Sequence, residues 1–353
     1  LREANKKILR TITLRKSSDK YGRIRLQAPT NGGVLSRGLK KELVVLSGSS
    51  SPQLAEEIAS HLKQPVGRVQ LSRFSDGEIY VRSEDSVRGS DAFIIQTLSP
   101  PINDNIMELL ILIDAQKRAS TDAITAVVPY YAYARQDKKG KSREPITAKL
   151  LADLLTVAGI SRLCTMDVHA DSIQGFFNVP VDHLTAMPLL ASYFKKKGLE
   201  DLVVVSPDVG RVKSAKKFAD RLKADLAIMH KIRPSMNHAE ILEVVGEVDG
   251  KNCLLVDDMV DTAGTMVEAA RALKARGAKA IFACATHPVL SGPAKERLKD
   301  SPIEQIVFTN SLAIPKEKML DKYKVLSIAP LFAQVIQNIH NDESVSSLFD
   351  GNV

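Results

Sequence analysis

The strongest constraint on how this chain can fold is a strand–turn–helix grammar that runs through it twice. From about residue 43, short β-branched apolar runs alternate with amphipathic stretches, the pattern of a parallel sheet with crossover helices. "ELVVLSGSS" reads as a strand entering a turn, and "PQLAEEIASHL" as a helix with Pro52 near its start. The same order returns at Asp201, where "DLVVVSPDVG" leads into "RVKSAKKFADRL". A second element repeats in step. "SDAFIIQTLSPP" and the "NIMELLILIDAQKRASTDAITAVVPYY" after it parallel "KNCLLVDDMVDTAGT" and "MVEAARALKARGAKAIFACATH". Two copies of one α/β domain are expected, at about 43–187 and 188–340, with a short tail over 341–353. Only the second copy carries "DDMVDTAGT"; the first has "QTLSPPINDN" in its place and must use that turn for something else.

That turn is the most informative stretch. "NCLLV" is an apolar strand and "MVEAARALKARG" a helix with Gly277 at its carboxyl cap, so the residues between them sit at the carboxyl edge of a parallel sheet, where α/β proteins place ligands. Thr262, Ala263, Gly264 and Thr265 present successive backbone N–H groups at a helix start, which suits a phosphate. Asp257 and Asp258 are expected to end the strand and Asp261 to open the turn. Carboxylates repel phosphate but accept hydrogen bonds from hydroxyls. A ligand with a phosphate at one end and vicinal hydroxyls at the other, such as ribose 5-phosphate, would use both halves. Helix capping by Asp261 or Thr262 would explain one of these residues and leave the others over.

Composition bears on partners and compartment. The net charge of +8 suggests nucleic acid until it is located: residues 1–41 hold 12 Lys and Arg against Glu3 and Asp19, a balance of +10, which leaves 42–353 at −2. No nucleic-acid role is expected of the body, and no apolar run reaches the ~18 residues that a membrane helix needs. The tail is rich in Arg, Lys, Ser and Thr and begins without Met, traits of a transit peptide or of a basic arm. Cys164, Cys253 and Cys284 each lie in or beside an apolar run, so buried reduced thiols in an intracellular compartment are expected, with no disulfide framework, zinc site or catalytic cysteine.

"LLVDDMVDTAGT" is the phosphoribosyl-pyrophosphate motif of type I phosphoribosyltransferases and phosphoribosyl pyrophosphate synthetases. "RFSDGEIYVR", "PYYAYARQDKKGKSREPITAK", "MDVHADSIQGFFNVPVDHL", "VVVSPDVG" and "THPVLSGPA" narrow the field. Together, and in this order, they resemble the phosphoribosyl pyrophosphate synthetase (ribose-phosphate diphosphokinase) family from about residue 43 to the end. The wording of the motifs resembles plant and bacterial members of the phosphate-activated class. The resemblance implies two tandem phosphoribosyltransferase-like domains, each a mainly parallel sheet flanked by helices. It implies transfer of the β,γ-diphosphoryl group of ATP to the C1 hydroxyl of ribose 5-phosphate, for nucleotide, histidine and tryptophan biosynthesis. It also implies a magnesium requirement, activation by inorganic phosphate, and a homo-oligomer, expected as a hexamer, with active sites at subunit interfaces. For the tail it favours a plastid address, with mitochondrion and cytoplasm as alternatives.

The resemblance also assigns residues. Arg135 and Gln136 follow the strand "AVVPYYAYA" and are expected to bind ATP, the first as a cationic fork and the second at an adenine edge. Asp76, Gly77 and Glu78 correspond to a loop that meets the adenine from a neighbouring subunit, with Phe74 packing on the base. His169 and Asp208 are the expected magnesium ligands, and Asp167 and Asp182 are placed in the same environment; hard Mg²⁺ prefers oxygen, so His169 alone would be a poor ligand. Lys231 and Arg233, in a polar loop after the strand "DLAIM", are the expected catalytic cations, closing over the transferring phosphorus. Asp208, Val209, Gly210 and Arg211 resemble the pyrophosphate loop, although the family commonly has Gly-Gly where this chain has Gly210-Arg211. Ser86 and Arg88 match a regulatory phosphate site.

Three other functions fit the sequence less well. A P-loop kinase is disfavoured because "GVLSRGLK" has Leu39 where the Lys is needed. A phosphoribosyltransferase would not need the paired first domain or "YARQDKK". A non-catalytic synthetase-associated protein would not need Lys231, Arg233, His169 and Asp208 together.

Overall fold

The computed structural model describes residues 16–18, 24–26, 41–232 and 241–349. The chain divides into two compact units, 1–41 and 42–353. In the first, β1 (Lys16–Ser18) pairs antiparallel with β2 (Ile24–Leu26). The second carries the repeated grammar.

Its first half is a five-stranded, all-parallel sheet of β3 (Leu43–Ser47), β6 (Asp91–Ile95), β7 (Ala123–Val128), β8 (Arg162–Met166) and β9 (Val181–Leu184), adjacent in that order. A separate hairpin, β4 (Val69–Arg73) with β5 (Ile79–Ser83), precedes β6. The second half is a seven-stranded sheet in the order β12 (Ile241–Val245), β11 (Asp225–Ile232), β10 (Leu202–Ser206), β13 (Asn252–Val260), β14 (Ala280–Pro288), β15 (Gln305–Thr309), β16 (Tyr323–Leu326). All its pairs are parallel except β11–β12.

The strands read as unbroken apolar runs because both faces of each sheet are covered. Within β13, Cys253 and Leu255 point to one core while Leu254 and Val256 point to another, and β6 divides in the same way between Ala92/Ile94 and Phe93/Ile95. One central core takes residues from both sheets together with α1 (Pro52–Leu62), α4 (Met187–Lys197), α5 (Val212–Leu222) and α8 (Ala329–His340). The outer face of the first sheet is covered by α2 (Ile102–Arg118) and α3 (Thr147–Ala158), and that of the second by α6 (Gly264–Ala275) and α7 (Ala294–Lys299). Phe194 of α4 meets Phe282 of β14 edge-to-face, 6.5 Å between centroids, both buried in that central core. Truncating such a ring costs about 3–5 kcal/mol. The three cysteines are free and buried, as expected, and among the described residues no helix is long and apolar enough to cross a membrane.

Two elements run further than their apolar residues suggest. β13 does not end at Asp257 and Asp258 but continues to Val260, because β14 runs alongside it from Asn252↔Ala280 to Val260↔Pro288. β11 likewise continues to Ile232, paired with β12 through Lys231↔Leu242. The Lys231 backbone therefore lies in a strand rather than a polar loop, and Arg233 lies outside the described residues.

Candidate active site

In parallel sheets all strands present their carboxyl ends at one edge, and it is here that β8 and β13 deliver their polar residues. Alternation along a strand would send Asp257 and Asp258 to opposite faces. The ladder breaks between Asp257↔Ala285 and Met259↔His287, the Asp258 N–H turns to Asp257 Oδ1 (2.9 Å), and Met259 N–H turns to Asp258 Oδ1 (2.9 Å). Both carboxylates thereby reach one guanidinium, that of Arg211. Its Nη2 donates to Asp258 Oδ2 at short range and lies 2.7 Å from His169 Nδ1, and its Nε is 3.7 Å from Asp257 Oδ1. His169 Nδ1 is 2.9 Å from the same Asp258 oxygen. The residue whose place in the loop departs from the family pattern thus sits at the centre of the cluster.

Electrostatics differ across the acid pair. Burial, reinforced by the neighbouring Asp258 charge, pushes the Asp257 carboxyl well above the usual carboxylate range. Burial alone would raise Asp258 too, but the His169 hydrogen bond and the Arg211 charge outweigh it and bring it down to about 2.

The turn Asp261–Thr265 follows. Ala263 adopts φ 61° at the start of α6, the left-handed step that turns the chain from strand to helix, and Gly264 is the first helical residue. Thr262 and Thr265 are exposed. Arg297 of α7 donates to the Thr262 carbonyl (3.0 Å), and a Cβ at Gly264 would lie 3.3 Å from its Nη1. Sequence reasoning did not place Arg297 here, because nothing in "GPAKERLK" signals which turn α7 packs against. Asp261 Oδ1 takes the Ser291 hydroxyl, and Asp261 Oδ2 accepts from Arg135 Nη1 at 2.7 Å. Burial opposes ionisation of Asp261, but these two partners outweigh it and hold its carboxyl below the usual range.

Arg135 thus brings the first half to the turn after β13. Gln136 beside it is held by its side chain to Thr147 (2.6 Å) and through its carbonyl to Ala148 N–H (3.2 Å). Residues 43–159 match the N-terminal domain of ribose phosphate pyrophosphokinase, and 234–350 match the phosphoribosyl synthetase-associated domain. A ribose-phosphate pyrophosphokinase of Clostridium perfringens is 55% identical over 312 residues, spanning 88% of this chain and 98% of that protein. That of Bacillus subtilis is 53% identical over 309 residues, 88% and 98% of the two chains. The chain belongs to the ribose-phosphate pyrophosphokinase family. Its structure also matches phosphoribosylpyrophosphate synthetase from Mycobacterium smegmatis, with a TM-score of 0.82, 46% identity, and 86% and 100% of the two chains covered.

Other residues singled out by resemblance to the pyrophosphokinase family lie elsewhere or have other partners. Asp182 pairs with Arg162 at 2.8 Å across β8–β9. Asp167 Oδ2 accepts from Ala186 N–H (2.9 Å) and the Thr286 hydroxyl (2.6 Å), so it ties β8 to β14. Asp208 is exposed and accepts the Arg211 N–H (3.0 Å), within the short turn Val209–Arg211 that enters α5. Among the described residues no three His, Cys, Asp or Glu side chains are grouped as a metal cluster. Oxygen donors of Asp257 and Asp258 beside His169 do suit a hard cation, and they face Arg211 instead. Phe74, Asp76, Gly77 and Glu78 form the β4–β5 turn, with Phe74 56% exposed and edge-on to Tyr80. Ser86 and Arg88 are exposed before the amino end of β6, at the opposite sheet edge from His169.

The turns of the first half that correspond to Asp208–Arg211 and Asp261–Thr265 are closed by the chain itself. Glu108 accepts from Ser49 N–H (2.7 Å) and the Ser49 hydroxyl (2.8 Å), and Gln96 Oε1 accepts from Ser50 N–H (3.1 Å). Thr97 donates to the Ser311 carbonyl (2.7 Å), so "QTLSPP" serves the junction with the second half.

Proposed function

We propose that this chain transfers the β,γ-diphosphoryl group of ATP to the C1 hydroxyl of ribose 5-phosphate, giving phosphoribosyl pyrophosphate and AMP. The C1 oxygen bonds to the β-phosphorus as that phosphorus parts from the AMP oxygen. The carrying observation is the Arg135–Asp261 contact of 2.7 Å, which joins the ATP-side loop to the ribose-side turn. The Thr262–Thr265 amides take the 5-phosphate, while Asp257, Asp258 and Asp261 accept the ribose hydroxyls. Lys231 and Arg233 stabilise the charge that develops on the transferred phosphoryl oxygens. Purified chain with Mg-ATP and ribose 5-phosphate should release AMP and phosphoribosyl pyrophosphate in equal amounts. No AMP beyond that from a Lys231→Ala control would overturn the reading.

Magnesium bound with the triphosphate would neutralise phosphoryl charge; the residues that would hold it are His169 and Asp208, with Asp167 and Asp182 in the same environment, and Asp258 Oδ2, 2.9 Å from His169 Nδ1, adds an oxygen donor beside them. Inorganic phosphate activates at Ser86 and Arg88. The assembly is a homo-oligomer, a hexamer, in which the exposed Phe74–Glu78 turn reaches a neighbour's adenine. An apolar stripe on α3, with Leu150, Leu154 and Val157 at 56%, 42% and 78% exposure, supports such contacts. The halves 43–187 and 188–340 act as ATP-side and ribose-side domains. The basic segment 1–42 directs import to a plastid; a fusion of it to a fluorescent protein that stayed outside plastids would sink that assignment.

A further inference from the structure

Arg211 stands where the resemblance implies a glycine, and its guanidinium fills the ground between the acid pair and His169. It lines a cavity of about 250 Å³ together with Asp167, His169, Asp257, Asp258 and Thr286. Asp257 Oδ1 is occupied by the Asp258 N–H, and Asp258 Oδ1 by the Met259 N–H. Asp258 Oδ2 is the oxygen that both Arg211 Nη2 and His169 Nδ1 reach for, and Arg211 Nε stands 3.7 Å from Asp257 Oδ1. Those two nitrogens are 2.7 Å apart. Guanidinium nitrogens only donate, so His169 Nδ1 either accepts from Arg211 or donates to Asp258, and three hydrogen bonds cannot close the triangle. Arg211 is thus a charged occupant with an incompletely satisfied neighbour, on a long stem whose backbone is fixed independently by Asp208.

Resting on the proposed activity, we infer that Arg211 is an internal counter-ion that holds the Asp257–Asp258 pair while the site is empty of substrate, and that a divalent cation can take these oxygens only when the guanidinium leaves them. Two cations on one carboxylate oxygen repel, so occupancy is exclusive. The guanidinium moves to the diphosphoryl group, for which its planar fork is suited and which arrives beside the same loop. The consequence is ordering: the free protein binds the metal weakly, and a diphosphate ligand raises its affinity for metal by drawing Arg211 away.

Mn²⁺ serves as the probe, titrated into the full chain without nucleotide or sugar phosphate, with free Mn²⁺ read by electron paramagnetic resonance. Arg211→Gly and Arg211→Met, the second keeping the packing stem, should both bind Mn²⁺ on the order of tenfold more tightly than the parent chain. Adding Asp258→Asn to either should remove the gain. Inorganic pyrophosphate should tighten Mn²⁺ binding to the parent protein more than to either variant, after allowance for its own Mn²⁺ complex. Unchanged Mn²⁺ affinity in both variants, each shown by circular dichroism to be folded, would overturn the inference, as would a gain that survives Asp258→Asn. The titration reads no turnover, so a chain that released no AMP would refute the proposed activity and leave this result standing.

Discussion

Arg135 donates to Asp261 across 2.7 Å, and through that contact the loop after β7 is tied to the turn after β13. The pair is partly open to solvent, with Arg135 50% and Asp261 23% exposed, so its worth lies in position more than in stability. Asp261 has a second partner in Ser291, which holds its carboxylate whether or not Arg135 is present. Asp261→Ala should raise the KM for ribose 5-phosphate by about 10- to 100-fold, the loss of charged hydrogen bonds to hydroxyls. The effect on ATP should be much smaller, since Arg135 keeps its own loop. Steady-state kinetics with each substrate varied in turn decides it, and equal losses for both would undo the ribose-side assignment.

The junction between the halves rests on a buried histidine. His287 is 1% exposed; its Nε2 lies 3.1 Å from the Met166 carbonyl and its Nδ1 2.9 Å from the Ser311 hydroxyl. Burial lowers its pKa against the opposing pull of the Asp167 and Asp258 charges. It is therefore neutral, donating from Nε2 and accepting at Nδ1. His287→Ala removes both partners and opens a cavity, and should cost about 2–4 kcal/mol in urea unfolding.

That lowered pKa has a defined sign. The unfolded chain protonates His287 near 6.5 while the folded chain resists, so the unfolded state gains protons first as pH falls. The stability contributed by the neutral imidazole is present above 6.5 and is lost as pH drops from there toward the folded pKa. His183, also lowered mainly by burial and accepting from Val168 N–H at 3.0 Å, adds in the same direction. Urea midpoints should fall between pH 7 and 5 more steeply in the parent chain than in His287→Gln; parallel curves would refute the assignment.

Much of this fold was legible because apolar runs, helix starts and turns repeat in register. Pro52 opens α1, and Gly277 follows α6 with φ 85°, each where its backbone preference puts it. What the sequence hid depends on partners distant along the chain. Asp257 and Asp258 looked like the end of β13 because charge usually ends an apolar strand, yet β14 carries the pairing past them to Val260. Asp182 stands opposite Cys164 in the β8–β9 register and pairs with Arg162, two residues before Cys164, a partner that no local pattern names. Arg211 was visible only as a departure from Gly-Gly. Where its side chain goes depends on a cavity made by β8 and β13, which no local pattern encodes.

The last prediction concerns the exposed turn. Phe74 sits at the end of a two-stranded hairpin whose turn is fixed by Glu78 N–H to Asp76 (3.1 Å) and by Gly77 at φ 98°, and Arg73 braces it against Asp104 at 3.0 Å. A large apolar ring held out by so ordered a turn fits a partner surface better than its own chain. If the turn completes a neighbour's ATP site, Phe74→Ala and Lys231→Ala damage different halves of a shared site. Each variant alone should be strongly impaired. Co-assembled, a site taking Phe74 from the Lys231→Ala subunit and Lys231 from the Phe74→Ala subunit is intact, so mixing after dissociation should restore AMP release. Mixed assemblies that form, as shown by mass spectrometry, yet recover no activity would place Phe74 in the site of its own subunit.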